Sequence, residues 1–123
     1  MPTEHTYTIG EFSTLVTLSI DTLRYYEKEQ LLQPARDVHN RRIYTDNDIV
    51  WVDFLKRLKQ IGMPIQKMKT YAQLRYQGDA TVKSRYDLLE EQQQLLVKKQ
   101  QEITQHLAFL EEKMQTYQQM IHS

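Results

Sequence analysis

The fold is decided between Thr8 and Tyr44, where the chain reads TIGEFSTLVTLSIDTLRYYEKEQLLQPARDVHNRRIY. This stretch combines two short helical periodicities with an arginine-rich turn, and it sets Arg and Tyr among apolar residues. Side chains of these two types suit contacts with phosphate groups and with the edges of bases. We recognise no arrangement of residues in it that would support catalysis.

Two short helices are predicted at the start of this stretch. Thr8 and Glu11 have the spacing of a capping box, and Ser19 is a suitable N-cap for a second helix that runs to about Glu29. The residues expected to face inward are Ile9, Phe12, Leu15 and Val16 in the first helix, and Ile20, Leu23 and Tyr26 in the second. Two short helices joined by a tight turn predict a helix-turn-helix.

A β-hairpin is predicted directly after this unit, over residues 36–44. Asp37 to Asn40 supply turn-forming residues, and Arg42-Ile43-Tyr44 alternates as a strand does. A hairpin in this position is a wing, so the sequence predicts a winged helix-turn-helix.

Two further helices complete the predicted DNA-binding domain, residues 1–77. Thr45-Asp46-Asn47-Asp48 is a second capping signal, Gly62 ends the third helix and Pro64 suits the first turn of the fourth. Asp79 is the expected N-cap of the segment that follows. The expected apolar positions are Trp51, Phe54, Leu55, Leu58 and Ile61, then Ile65, Met68, Ala72 and Leu74.

Residues 78–123 are predicted to form one long dimerisation helix. Neither Gly nor Pro occurs from about Ala80 to Met120, and apolar residues recur there at heptad spacing over two lines. An isolated helix cannot bury such a stripe, so we expect a second copy of the chain, paired in parallel or antiparallel. The predicted contact residues are Leu89, Leu96, Ile103, Leu107, Leu110, Met114, Tyr117 and Ile121.

Composition excludes several classes of protein. The chain has no cysteine, which excludes disulfide scaffolds and thiolate metal sites. Its 4 His stand at no metal-ligand spacing, and its 3 Gly are isolated, so we expect no metal, no cofactor and no enzyme. No apolar run approaches a membrane span and no signal peptide core is visible, which favours a cytoplasmic protein.

Net charge is zero and does not by itself indicate a nucleic-acid partner. Exposed Arg and Thr are also common on ordinary solvated helices. The second helix is nevertheless joined to the first by a tight turn and is followed by a hairpin, an arrangement that favours a DNA-binding surface. The hairpin carries several arginines, whose guanidinium groups can bind phosphate through two hydrogen bonds. The candidate DNA-binding residues are Ser19, Asp21, Thr22, Arg24, Tyr25, Arg36, His39, Asn40, Arg41, Arg42 and Tyr44.

Two tyrosines are candidates for a small-molecule effector pocket. Tyr71 and Tyr76 lie where the predicted DNA-binding domain meets the long helix. Tyrosines in such positions are more often packing residues than ligand contacts, and both interpretations stay open at this point.

The chain resembles the MerR family of bacterial transcription regulators. The resemblance rests on Thr8-Ile9-Gly10-Glu11, on Leu23-Arg24-Tyr25-Tyr26-Glu27, on Arg42-Ile43-Tyr44 and on Leu58-Lys59-Gln60-Ile61-Gly62, in this order. It implies a mainly α fold with a winged helix-turn-helix and an antiparallel coiled-coil homodimer. It also implies Arg24 and Tyr25 at the groove and backbone, with Arg41, Arg42 and Tyr44 contacting DNA from the wing.

This resemblance implies binding to a palindromic operator in a promoter with an over-long spacer, which the dimer bends and untwists for RNA polymerase. A small-molecule or stress signal as the trigger stays open at this point, and metal or thiol sensing is not implied, because the chain has none of the cysteines of the metal-sensing members. The alternative is a helical adaptor whose coiled coil binds a partner helix, which the zero net charge favours.

Two positions depart from the family pattern. Thr17, in the turn of the helix-turn-helix, and Gln30, after the second helix, stand where the family usually has glycine. A positive φ at either position would be strained for a residue with a Cβ.

Overall fold

The computed structural model describes residues 5–123, so the first four residues of the predicted N-terminal domain lie outside the described part. Its elements, in chain order, are β1 (Thr6–Tyr7), α1 (Ile9–Val16), α2 (Ile20–Lys28), β2 (Ala35–Arg36), β3 (Arg42–Thr45), α3 (Asp46–Gln60), α4 (Ile65–Tyr76), a 3₁₀ turn (Asp79–Thr81) and α5 (Val82–Ile121). The mainly α fold class is confirmed, with the helix-turn-helix in α1 and α2, the wing in β2 and β3, and a long C-terminal helix.

The predicted helix starts are confirmed at three places. Thr8 and Glu11 form a complete capping box at α1, and Thr45 and Asp48 form another at α3. Ser19 caps α2, where its Oγ accepts the Thr22 N–H at 3.0 Å. These caps satisfy backbone amides that a helix leaves without partners, so local sequence alone defines where the helices begin.

The wing belongs to a three-stranded antiparallel sheet with the order β1-β3-β2. Strand β1 was not predicted, because two residues carry no readable alternation. Tyr7 lies opposite Tyr44, and Arg36 lies opposite Arg42. Strand β1 therefore ties the segment before α1 to the wing.

The core is built from α1 to α4 and the strand β3. The Phe12 ring stacks on the Tyr44 ring with centroids 4.3 Å apart, and both side chains are almost wholly buried. Trp51 in α3 donates its indole N–H to the carbonyl of Leu31 at 2.8 Å, which anchors the chain just after α2. The hydrogen bond from Trp51 thus fixes the C-terminal end of α2 to the core.

Three expectations for individual residues were wrong. Leu15 is 50% exposed and Ile65 is 38% exposed, so neither belongs to the core. Short helices turn only part of their apolar stripe toward the domain, which periodicity does not reveal. Asp79 begins a 3₁₀ turn instead of capping the long helix, and Gly78, with φ of 96°, precedes it.

The chain divides into two compact units, Met1–Arg85 and Tyr86–Ser123. The second unit is the greater part of α5, a helix of 40 residues. Among the described residues, no helix is long and apolar enough to cross a membrane. The functional boundary at residue 77 and the coiled-coil pairing stay predictions.

Candidate nucleic-acid interface

The outward face of α2 is the first part of the candidate interface. Leu23 is fully buried and Tyr26 is only 5% exposed, so both belong to the inward face. Tyr25 lies on the outward face and is 48% exposed. The Arg24 guanidinium lies 4.0 Å from the Asp21 carboxylate, and both side chains are largely exposed. Water screens such a pair strongly, so Arg24 is available to a phosphate or a base. The predicted split of this helix into two faces is confirmed.

Ser19 and Thr22 are engaged with each other at the start of α2. The Ser19 hydroxyl donates to the Thr22 Oγ1 at 2.8 Å and accepts the Thr22 backbone N–H. These hydroxyls therefore stabilise the N-terminus of the helix. A direct contact from either to DNA stays a prediction.

The turn before α2 is held by a lysine from α3. Thr17 has φ of 55° and ψ of 42°, which is the left-handed conformation that glycine adopts most readily. The Lys56 ammonium donates to the Val16 carbonyl and to the Thr17 Oγ1, both at 2.8 Å. This cation satisfies the C-terminal end of α1 and fixes the turn that aims α2.

Gln30 also adopts the left-handed conformation, with φ of 62°. Beside it, the Glu29 carboxylate accepts from the Lys69 ammonium of α4 at 2.9 Å. Both positions where glycine is usual in the family are therefore left-handed here, and each has a lysine contact at or next to it.

The tip of the wing is organised by Asp37. Its Oδ1 accepts the backbone N–H groups of His39 and Arg41, both at 2.9 Å, and Asn40 has φ of 61°. His39, Asn40 and Arg41 are exposed, and a contact from them to DNA stays a prediction. Val38, at the same tip, is 95% exposed. Its position inside the predicted turn is the only feature of the sequence that indicates this exposure.

Glu27 joins the wing to α2, and sequence reasoning did not single it out as a site residue. Its Oε1 accepts from the Arg36 Nη2 at 3.2 Å, and its Oε2 accepts from the Arg42 Nε in a short contact. Two of the three predicted wing arginines thus pair with Glu27, whereas Arg41, the most exposed of them, lies 3.8 Å from the Asp37 carboxylate within the wing.

Tyr44 is a correction to the predicted site. It is 1% exposed, so its ring cannot face a phosphate, and burial raises the pKa of its phenol. The alternation of residues predicted that Tyr44 lies in a strand. It could not show that the ring packs on Phe12, because Phe12 lies more than 30 positions away in the sequence. Tyr44 therefore supports the wing from the core.

A basic notch of about 350 Å³ lies beside the wing. Its walls combine the start of α1 with the two strands of the hairpin and carry three guanidinium groups. The lining residues are Thr8, Ile9, Arg36, Asp37, Asn40, Arg41, Arg42 and Ile43. Helix N-termini and arginine forks both favour anions, so this notch can accept a phosphate group.

The predicted effector residues separate in the structure. Tyr71 lines a cavity of about 220 Å³ together with Val50, Trp51, Phe54, Arg75 and Arg85. Tyr76 instead accepts the Gln33 backbone N–H on its phenol oxygen at 3.0 Å. The Arg75 guanidinium lies over the Trp51 ring, 4.4 Å from its centroid. Within residues 5–123, no group of three or more His, Cys, Asp or Glu could hold a metal ion.

The predicted dimerisation residues form an exposed apolar stripe on α5. Ile103 is 57% exposed, Leu107 60% and Leu110 53%, although these are large apolar side chains. Leu89 is half-buried, and Leu96, Met114, Tyr117 and Ile121 are exposed. Such a contiguous surface indicates an interaction site, and its pairing with a second copy stays a prediction.

Comparison with known proteins identifies the family. Residues 7–74 match the model of the MerR HTH family of regulatory proteins. An uncharacterized HTH-type transcriptional regulator of Haemophilus influenzae is 35% identical over 114 residues, which cover 92% of this chain and 84% of that protein.

Two solved structures are similar over most of the chain. One is HiNmlR, a MerR family regulator lacking the sensor domain, bound to promoter DNA, with a TM-score of 0.73, 34% identity and coverage of 94% of this chain and 92% of the other. A MerR family transcriptional regulator from Bacillus thuringiensis has a TM-score of 0.69 and 29% identity, with 89% and 97% covered. The chain therefore belongs to the MerR family, and it is a DNA-binding transcription regulator, not an enzyme.

Proposed function

We propose that this regulator acts as a homodimer on a palindromic operator inside a promoter. The observation that carries the proposal is the exposed apolar stripe of α5, on the same chain as a helix-turn-helix. A two-stranded, antiparallel coiled coil buries this stripe and presents two copies of the α2 face and wing. A dimer with two-fold symmetry reads two half-sites in inverted orientation, which is why the operator is palindromic.

The dimer deforms the promoter on binding. The α2 face enters the major groove of each half-site, and the basic notch beside the wing holds the adjacent backbone. Binding energy at the two half-sites is spent on bending and untwisting the spacer between them, so RNA polymerase engages both promoter elements. Acting on promoter DNA of a bacterium, the protein works in the cytoplasm.

The cavity lined by Trp51, Phe54 and Tyr71 is the proposed effector site. Its aromatic walls and the guanidinium of Arg75 suit a small aromatic anion, such as benzoate. Trp51 is the only tryptophan of the chain, so its fluorescence reports on this site alone. Saturable quenching by benzoate in the unaltered chain, with weaker binding in Tyr71→Ala, would support the assignment. Linear, unsaturated quenching in both the unaltered chain and the variant would contradict it.

Selection of bound fragments from the parent genome tests the main proposal. We expect an inverted repeat within a promoter, bound by a dimer. Affinity should fall steeply with salt, with a slope set by the number of phosphates contacted. A helical adaptor would select no common sequence, and its partner binding would change little with salt.

Arg24 is the most informative residue to replace. Arg24→Ala should abolish operator binding in a gel-shift experiment and leave the dimer intact in sedimentation equilibrium. Arg57→Ala, which removes one positive charge from the exposed face of α3, is the matched control. Full operator affinity in Arg24→Ala, or an equal loss in the control, would contradict the role of Arg24.

A further inference from the structure

Glu27 contacts both strands of the wing through one carboxylate. Its two oxygens accept from Arg36 of β2 and from Arg42 of β3. The side chain of Glu27 is 25% exposed, that of Arg42 32% and that of Arg36 40%, so the cluster is partly shielded from water. Charge-assisted hydrogen bonds in such a setting hold geometry better than exposed ion pairs do.

The hairpin register makes this carboxylate necessary. Arg36 and Arg42 are directly opposite each other across the two strands. Like charges at directly opposed positions destabilise a strand pair. Glu27 offsets this repulsion with its negative charge, and Arg36 also donates to the Asn40 carbonyl at 3.2 Å, which braces the turn of the wing.

The cluster therefore links the two DNA-facing elements. Glu27 lies on α2 one turn from Arg24, while its partners lie on the wing. Movement of the wing relative to α2 would break two ionic hydrogen bonds at once. The same carboxylate also neutralises one of the two positive charges that these arginines would otherwise offer to any phosphate within reach.

We propose that Glu27 is a positioning residue for DNA recognition. It locks the wing to α2 in the arrangement that fits the operator, and it restrains Arg36 and Arg42 from binding phosphates indiscriminately. Glu27 thus lowers affinity for DNA in general and raises discrimination in favour of the operator. This inference rests on the proposed function, because it concerns how the same interface distinguishes one sequence from another.

Glu27→Gln should act in two opposite directions. Removing the charge frees two guanidiniums, so affinity for a shuffled duplex should rise about threefold to tenfold, and the salt slope should steepen by about one to two units. Loss of the fixed wing should lower the ratio of operator affinity to shuffled-duplex affinity by roughly tenfold. The operator probe is the genomic fragment selected by the unaltered chain.

Glu29→Gln is the matched control. Glu29 follows directly after α2, is 26% exposed and also forms an ion pair, but with Lys69 of α4 and not with the wing. The substitution removes the same charge and the same kind of contact. It should leave the affinity ratio within about twofold of the unaltered chain, since no DNA-facing arginine is released.

Glu27→Asp separates charge from reach. The aspartate keeps the negative charge but is one methylene shorter, so it cannot contact both arginines as Glu27 does. We expect its salt slope to stay near that of the unaltered chain while its affinity ratio falls. A ratio unchanged in both Glu27 variants, or lowered equally in Glu29→Gln, would overturn the proposal.

A measurement without DNA tests the contacts of Glu27 even if no operator is found. Hydrogen exchange of the Arg42 Nε–H, followed by NMR in the unaltered chain, should be at least about tenfold slower than that of Arg41, whose guanidinium lies 3.8 Å from Asp37 and is 74% exposed. Equal exchange rates for Arg42 and Arg41 would refute the proposed restraint of the wing by Glu27. If no genomic fragment is selected, the proposed function fails, while slow exchange at Arg42 would still establish that Glu27 holds the wing.

Discussion

The two units of this chain use the same kind of helical periodicity with opposite results. In the unit that ends at Arg85, apolar stripes of short helices meet one another and the strand β3 in a core. In the unit that begins at Tyr86, no apolar side chain of the described residues is buried. A single helix has no second surface to pack against, so its stripe stays exposed until another chain covers it. One unit buries its apolar residues within itself, and the other leaves them exposed for the proposed partner chain.

The largest expected effect comes from a substitution that disrupts the proposed pairing of α5. Leu107→Asp places a carboxylate in the middle of the stripe, twice in each dimer, and removes two leucines from the seam. We expect the dissociation constant of the dimer to rise at least about 10⁴-fold, because a charge in an apolar seam is not compensated. Sedimentation equilibrium measures this directly.

Gln105→Asp is the control on the same turn of α5, outside both heptad lines. Its dimer should be unaffected, and circular dichroism should show the N-terminal unit folded in both variants. A dimer that survives Leu107→Asp would show that the stripe is not the contact surface. Leu95, Val97, Phe109 and Met120, which are exposed apolar residues of this helix outside the stripe, would then be tested next.

The next effect sharpens the contrast within the N-terminal unit. Phe12→Ala removes a fully buried ring that stacks on Tyr44, and it should lower the free energy of unfolding by about 3–5 kcal/mol. Leu15→Ala, on the same helix but half exposed, should cost less than about 1 kcal/mol. Urea denaturation distinguishes the two, and equal costs would mean that α1 is packed differently.

The smallest effect concerns the turn of the helix-turn-helix. Lys56→Met should cost about 1.5–2 kcal/mol, since two hydrogen bonds from a charged donor are lost. Thr17→Gly relieves the left-handed backbone but removes one acceptor and adds freedom to the unfolded chain, so it should change stability by less than about 1 kcal/mol.

The double variant tests whether Lys56 and Thr17 act together. Because Lys56 contacts Thr17 directly, the cost of Lys56→Met should be smaller when residue 17 is glycine. Strictly additive costs would show that the lysine acts only through the Val16 carbonyl.

Sequence reasoning placed correctly those parts of the candidate interface whose structure depends on neighbouring residues. Ser19 as a cap, Arg24 on the outward face and the turn from Asp37 to Asn40 all follow from residue type and spacing. It misplaced Tyr44 and passed over Glu27 for the same reason. The partners of these side chains come from another element, and spacing along the chain carries no information about which element lies opposite.

The sequence by itself determined where the helices of the N-terminal unit start and that the last helix carries an apolar stripe that it cannot bury. These properties depend on neighbours within a few residues. The tertiary structure alone decided that β1 completes the sheet, that Lys56 holds the turn before α2 and that Glu27 pairs with two arginines of the wing. Those contacts join residues between 9 and 40 positions apart, and such pairings are fixed only when the elements pack together.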